Sequence, residues 1–304
     1  MRESEQILTG LVPMSARLEA IVRLAGQGDI VCDVGCDHAH VPIRLLQTGC
    51  YRRAIGMDVI AGPLGKAAAN LALYGMEDRV QLRLSDGLDA CIAGEADTLV
   101  VTGMGGTLME EILLRQPEKT ASFRALVLGP QSDPEKVRSA LRRLGFTITE
   151  EELIFEDGKY YPVIRSEAAA DSAGERNGDK NIPEKSPVLY RKPAAADPAK
   201  ERTGDRNTPE LFAPELFAPD IPAQVRLQAE DLFGPVLLQR RDPVMLEFLR
   251  RRTAVLEKIL RSIRQAAGDT DKDPALLEKH LSRQQEIEHS LIVYKAALTV
   301  FERS

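Results

Sequence analysis

The chain has no tryptophan, and its 304 residues include only six tyrosines and eight phenylalanines. A core must therefore be built from Leu, Ile, Val and Ala. Cysteine is sparse as well: Cys32, Cys36, Cys50 and Cys91 all fall in the first third, far below the density of a disulfide-stapled scaffold. No run approaches the ~18 consecutive apolar residues of a membrane span. The opening MRESEQILTGLVPMSARLEA carries acids and no apolar block ahead of a small-residue cleavage site, which argues against secretion and leaves the cytoplasm as the default location. These absences exclude membrane, collagen-like and disulfide-framework classes. What remains, 43% apolar and 28% charged, is globular material for about two domains.

Acids outnumber cations, 46 to 40, except in one place. The net charge is −6, and residues 1–166 hold 18 Lys/Arg against 23 Asp/Glu. Within 237–264 the balance reverses: Arg240, Arg241, Arg250, Arg251, Arg252, Lys258, Arg261 and Arg264 face only three acids. A phosphate-bearing partner should meet that stretch rather than the chain as a whole.

Residues 1–166 alternate between two patterns. Short aliphatic runs at Asp29–Val34, Ala54–Met57, Val80–Leu84, Thr98–Thr102 and Ala125–Leu128 predict strands; Val41–Thr48, Gly62–Tyr74, Gly106–Arg115 and Pro134–Leu144 predict helices between them. That order implies parallel strands joined by right-handed crossovers, with helices on both faces. Thr147–Phe155 and Tyr160–Ile164, around Glu156-Asp157-Gly158-Lys159, predict a closing antiparallel hairpin. The expectation is an open α/β sheet of about seven strands.

Residues 167–222 read as a linker. Ala168–Glu184 matches Ala194–Glu210 at 12 of 17 positions, and Pro209-Glu-Leu-Phe-Ala is repeated at Pro214. Two polar copies without a buried face predict a disordered insertion rather than a solenoid; a binding role for the Leu-Phe pairs is the alternative. In 223–304 helical periodicity returns. Leu249, Leu256 and Ile263 recur by sevens, as do Gln284, Leu291 and Leu298 beside Ile287, Tyr294 and Phe301. Two long helices folded back as a coiled-coil hairpin satisfy both series.

In an open parallel sheet, ligands bind beyond the carboxyl ends of the strands, where strand order reverses. Acids gather there: Asp33 and Asp37 in Asp33-Val34-Gly35-Cys36-Asp37-His38-Ala39-His40, Asp58 after strand two, and Asp86 before Gly87 after strand three. Strand four ends in Gly103-Met104-Gly105-Gly106. A dinucleotide needs a glycine-rich first turn, but here only Gly35 is present, and carboxylates would oppose a pyrophosphate. A cationic sulfonium donor, S-adenosylmethionine, suits the rim better. Asp33 or Asp37 would face its cationic end, Asp58 the ribose hydroxyls and Asp86 the adenine amino group. Any single Asp could equally cap the following helix. A zinc site from Cys32, Cys36, His38 and His40 is disfavoured, because Cys32 and Cys36 would lie roughly 13 Å apart in an extended strand.

The segments SARLEAI (Ser15–Ile21), DVGCDHAHVPI (Asp33–Ile43), GMDVIAGPL (Gly56–Leu64), TGMGGTLM (Thr102–Met109), EDGKYY (Glu156–Tyr161) and FGPVLLQRRDPVMLEFL (Phe233–Leu249) occur in this order. Together they resemble the bacterial tRNA (adenine(22)-N1)-methyltransferases, over residues 5–165 and 228–304. The resemblance implies a Rossmann-like class I methyltransferase sheet followed by a helical coiled-coil domain, with S-adenosylmethionine as methyl donor and tRNA as substrate. It further implies cofactor contacts at Arg17, Asp33, Gly35, Cys36, Asp37, Asp58, Val59, Asp86, Gly87, Gly103 and Met104. Cys36 stands where the family usually shows Ser or Thr, His40 where an aromatic is common, and Pro162 falls within the last strand.

Methyl transfer to adenine N1 requires the base unpaired or rotated out of its stack. Asp37 and His38 are the expected polar neighbours of the transferred methyl; Arg240, Arg241, Arg250 and Arg251 are the expected tRNA contacts. No metal is expected. Methylation of a small molecule or protein, and a non-catalytic RNA-binding role, are the competing readings.

Overall fold

The computed structural model describes residues 9–168, 214–267 and 274–302. The duplicated segment falls almost wholly outside them. After helix α1 (Ala16–Ala25) the chain alternates: β1 (Ile30–Val34), α2 (His40–Gln47), β2 (Arg53–Asp58), α3 (Ala61–Tyr74), β3 (Val80–Leu84), β4 (Thr98–Thr102), α4 (Gly106–Arg115), α5 (Pro117–Ala121), β5 (Ala125–Gly129) and α6 (Pro134–Arg143). β6 (Phe146–Glu156) and β7 (Lys159–Ala168) form the antiparallel hairpin. Its turn residues Asp157 (φ 50°) and Gly158 (φ 77°) are both left-handed, the conformation Asp-Gly favours between twisted strands.

The seven strands lie in the order β3-β2-β1-β4-β5-β7-β6, a Rossmann-like sheet whose order reverses between β1 and β4. Alternation along the strands divides the core in two. Cys32, Val34, Leu99, Val101, Leu126 and Leu128 face α4 and α6, while Val31, Val100 and Val127 face α1, α2 and α3. Pro162 pairs with Leu153 of β6, whereas the β5 ladder ends at Ile164. At Pro162 the strand therefore has a neighbour on one side only, where a missing N–H costs least.

Past a 3-10 turn at Pro214–Leu216, four helices follow: α7 (Ala223–Phe233), α8 (Pro235–Gln239), α9 (Pro243–Ala267) and α10 (Pro274–Glu302). α9 and α10 run antiparallel, with Glu257 bonded to Lys295 (2.9 Å) and Arg264 to Glu288 (2.7 Å). Leu256, Leu260, Ile287 and Leu291 are buried between them. The periodicity anticipated this pair but not its company. Leu249, Val293, Ala297 and Val300 pack with Phe233 of α7 and Leu238 of α8, so a four-helix cluster forms instead of a free-standing hairpin.

That cluster is fastened to the sheet by buried charge. Glu151 of β6, fully buried, accepts from Arg138 Nε (2.8 Å) and from the Val236 N–H (2.9 Å) that opens α8. Arg138 also donates to Asp231 O (2.6 Å), and Arg142 pairs with the Asp231 carboxylate (2.8 Å). Gly234, at φ 87°, is required here: a Cβ would lie 2.4 Å from Glu151 Oε2.

Candidate active site

Three residues that line one cavity at the carboxyl ends of β1 and β4 each bury a polar atom with no hydrogen-bond partner among the described residues: Asp33 Oδ1, Arg17 Nε and Thr102 Oγ1. The cavity, about 140 Å³, is also lined by Gly35, Cys36, Asp37, His38, His40 and Gly103. A larger one, about 550 Å³, opens between α6 and the helices α7, α9 and α10. None of its lining side chains leaves a buried polar atom unpaired among the described residues. Unpaired buried groups are costly and so point to a missing ligand, which favours the smaller cavity.

The turn after β1 builds this cavity. Gly35 N–H and Cys36 N–H both donate to Met57 O of β2, at 2.8 and 3.0 Å. Gly35 takes φ 75°, a left-handed conformation that favours glycine, and the Met104 methyl folds over it, 2.3 Å from where a Cβ would stand. Asp37 (φ 44°) and Ala39 (φ 58°) are also left-handed. Asn70 of α3 braces the loop, donating to His38 O at 2.9 Å.

Asp33 is 1% exposed. Burial, reinforced by the nearby Asp58 charge, pushes its carboxyl up to about 7. Burial also raises the Cys36 thiol, so a thiolate role is disfavoured. Asp37 and His38 sit at the exposed mouth, His38 Nε2 being 3.6 Å from Asp37 Oδ1. His40 is held below the ordinary imidazole value by burial and by His38. The Arg17 guanidinium stacks over the Tyr161 ring at 4.8 Å, and the Arg17 backbone N–H donates to Glu156 Oε1 at 3.4 Å. The EDGKYY segment thus overhangs the rim beside α1.

The remaining sequence-selected residues extend along the strand ends instead of lining the cavity. Asp58 accepts from Ile60 N–H (3.0 Å) and Val59 is exposed. Asp86 is engaged by Arg115, whose two nitrogens reach Oδ2 (2.9 Å) and the backbone O (2.7 Å) and hold the carboxyl below its usual range. Gly87, at φ 55°, makes room for that guanidinium. Sequence reasoning assigned no role to Arg115 or Thr102; the ion pair with Asp86 reveals the first and a buried, unpartnered hydroxyl the second. Among the described residues no cluster of three or more His, Cys, Asp or Glu has metal-binding geometry, and no helix is long and apolar enough to cross a membrane.

The methyltransferase-domain family model matches residues 14–164. The tRNA (adenine(22)-N(1))-methyltransferase of Bacillus subtilis (strain 168) is 30% identical over 188 residues, covering 59% of this chain and 79% of that one. The chain belongs to the tRNA (adenine(22)-N(1))-methyltransferase family. In fold it is similar to the B. subtilis m1A22 tRNA methyltransferase TrmK, with a TM-score of 0.67 at 22% identity over 94% of this chain and 99% of that structure. M. capricolum TrmK in complex with S-adenosyl-homocysteine gives 0.59 at 20% identity over 92% and 99%. Both structural likenesses of this methyltransferase family extend through the helices that follow the sheet.

Proposed function

We propose that this chain transfers a methyl group from S-adenosylmethionine to N1 of adenine 22 in tRNA. The observation that carries the reading is the pairing of opposite unsatisfied groups, Asp33 Oδ1 and Arg17 Nε, in the rim cavity of a chain of this family. An acid and a base left open together suit the ammonium and carboxylate of an amino-acid moiety, whereas the carboxylate opposes a pyrophosphate.

S-adenosylmethionine supplies an electrophilic methyl on a cationic sulfonium. Asp33 and Arg17 hold the amino-acid end, and Asp33 becomes ionised as the ammonium arrives. Gly35 and Cys36 keep the backbone close, and Gly103 and Met104 wall the opposite side. Asp58 takes the ribose hydroxyls, with Val59 and Gly87 flanking the adenine. Asp86 Oδ1, left over by Arg115, accepts from the adenine amino group. Asp37 and His38, at the mouth, border the path of the incoming base.

N1 is a neutral lone pair, so no strong base is needed to begin transfer; the base has only to be unpaired and aligned behind the methyl. Residues 1–166 act as the transfer unit and 223–304 as the tRNA-holding unit, with 167–222 as tether. Phosphates meet Arg240, Arg241, Arg250 and Arg251. Arg250 is exposed, while Arg251 shares its charge with Glu247 at 2.5 Å. Acting on tRNA, the protein would meet its substrate in the cytoplasm.

Incubating the protein with tRNA and S-adenosylmethionine, then digesting to nucleosides for mass spectrometry, should yield N1-methyladenosine mapped to position 22. Another modified nucleoside, or calorimetric binding of a pyridine dinucleotide but not of S-adenosylmethionine, would overturn the assignment.

A further inference from the structure

We propose that Gln131 orients the target base, its side-chain Oε1 accepting a hydrogen bond from the exocyclic amino group of the adenine. The inference rests on the reading above that adenine N1 is the methyl acceptor. The turn after strand four, Gly103-Met104-Gly105-Gly106, has neither a carboxamide nor an aromatic side chain to hold a base. The neighbouring strand supplies what that turn lacks.

β5 lies in register beside β4, Thr102 opposite Gly129, so the two strand ends emerge side by side. The loop after β5 then folds onto the glycine turn. Gln131 N–H donates to Met104 O at 2.8 Å, and Gly106 N–H donates to Ser132 O at 2.8 Å. A Cβ on Gly106 would lie 2.1 Å from Asp133 O, a collision with backbone, so this approach exists only for glycine. The fit places the Gln131 side chain beside Gly103: its Nε2 is 4.0 Å from where a Cβ on Gly103 would stand. Gly103 lines the rim cavity. Gln131 is exposed, and no hydrogen bond within the described residues engages its amide. A carboxamide thus stands free beside the turn that bounds the rim cavity, on a loop pinned by two hydrogen bonds.

The chemistry explains its use. The N1 lone pair forms the new N–C bond while the C–S bond breaks, its electron pair passing to sulfur; no proton is transferred. Positive charge spreads over the adenine ring to the exocyclic nitrogen, and its N–H becomes a stronger donor. A fixed carbonyl oxygen facing that N–H gains more in the transition state than in the ground state.

The test compares tRNA transcripts bearing adenosine or purine riboside, which lacks the amino group, at position 22. Gln131→Ala should lower kcat/KM by about 100-fold on the adenosine transcript but by less than about threefold on the purine transcript. Gln131→Glu keeps the acceptor and should stay within about tenfold of the parent. Binding to the S-adenosylhomocysteine-loaded protein gives the comparison without turnover: Gln131→Ala weakens the adenosine transcript by at least about fivefold and leaves the purine transcript unchanged. Calorimetric affinity for S-adenosylmethionine stays as in the parent. Equal losses on both transcripts, or none on either, overturn the role. A parent protein that makes no N1-methyladenosine on the adenosine transcript instead overturns the underlying function, a separate failure.

Discussion

Two buried carboxylates on the same sheet have opposite surroundings. Glu151 is saturated: Arg138 Nε, Val236 N–H and, at 3.4 Å, Leu237 N–H all donate to it. Asp33, equally inaccessible, has an oxygen with no partner among the described residues and a carboxyl raised to about 7. The first is a fastening between sheet and helices, complete as it stands. The second keeps an unfavourable desolvation that a ligand of opposite charge would relieve. Burial alone does not distinguish structural from functional acids; the completeness of their hydrogen bonding does.

The comparison breaks if the two respond alike to substitution. Glu151→Ala strands Arg138 and uncaps α8, and should cost about 3–5 kcal/mol in chemical denaturation, the largest effect expected. Asp33→Asn should act in the opposite sense. It removes a desolvated acid, so the melting temperature at pH 8 rises or holds, while calorimetric affinity for S-adenosylmethionine falls by about 100-fold.

A pH series sharpens the contrast. The Asp33 carboxyl keeps its proton to about pH 7 in the folded chain but only to about pH 4 when unfolded. Between those values the folded state holds more protons, so this group's contribution to stability is greatest below pH 4. It declines as pH rises to 7, by up to ~4 kcal/mol. Affinity for the cationic donor should rise across the same window, and Asp33→Asn should abolish both trends, as read by denaturation and calorimetry from pH 4 to 8. Gly234→Ala forces a methyl onto Glu151 and should destabilise by about 2–3 kcal/mol in denaturant without changing donor affinity per folded molecule.

Much of this contrast was legible in the residues and part of it was not. Strands such as Thr98–Thr102 declared themselves because β-branched runs closed by Gly or Pro have few alternatives, and the Asp-Gly turn announced the hairpin. Asp33 could be placed at a strand end by counting. Its missing partner could not, since that depends on what Arg17, 16 residues earlier, does in space. Arg115 illustrates the same limit: its capture of Asp86 joins the end of α4 to the loop after β3, a contact that no local pattern encodes. α7 and α8 escaped the periodicity because their faces are set by docking against α6 and β6, contacts that no local spacing encodes.

The smallest effect concerns the basic face. Because Arg251 is paired with Glu247, Arg250→Glu should weaken tRNA binding more than Arg251→Glu, each by a few-fold, about threefold for the stronger. Filter binding across a salt series checks the ranking, and the double variant should flatten the slope.

Phe217, 3% exposed, lies among Val225, Phe233 and Leu237 just where the described chain resumes after residue 213. Sheet and helices are therefore aligned by their own contacts and by this anchor, not by the length of what joins them. Doubling a connecting segment adds only about 0.6 kcal/mol of closure entropy. A gene could thus lengthen or shorten that stretch by slippage with little selective penalty, and closely related strains should differ there in residue count while keeping every position on either side.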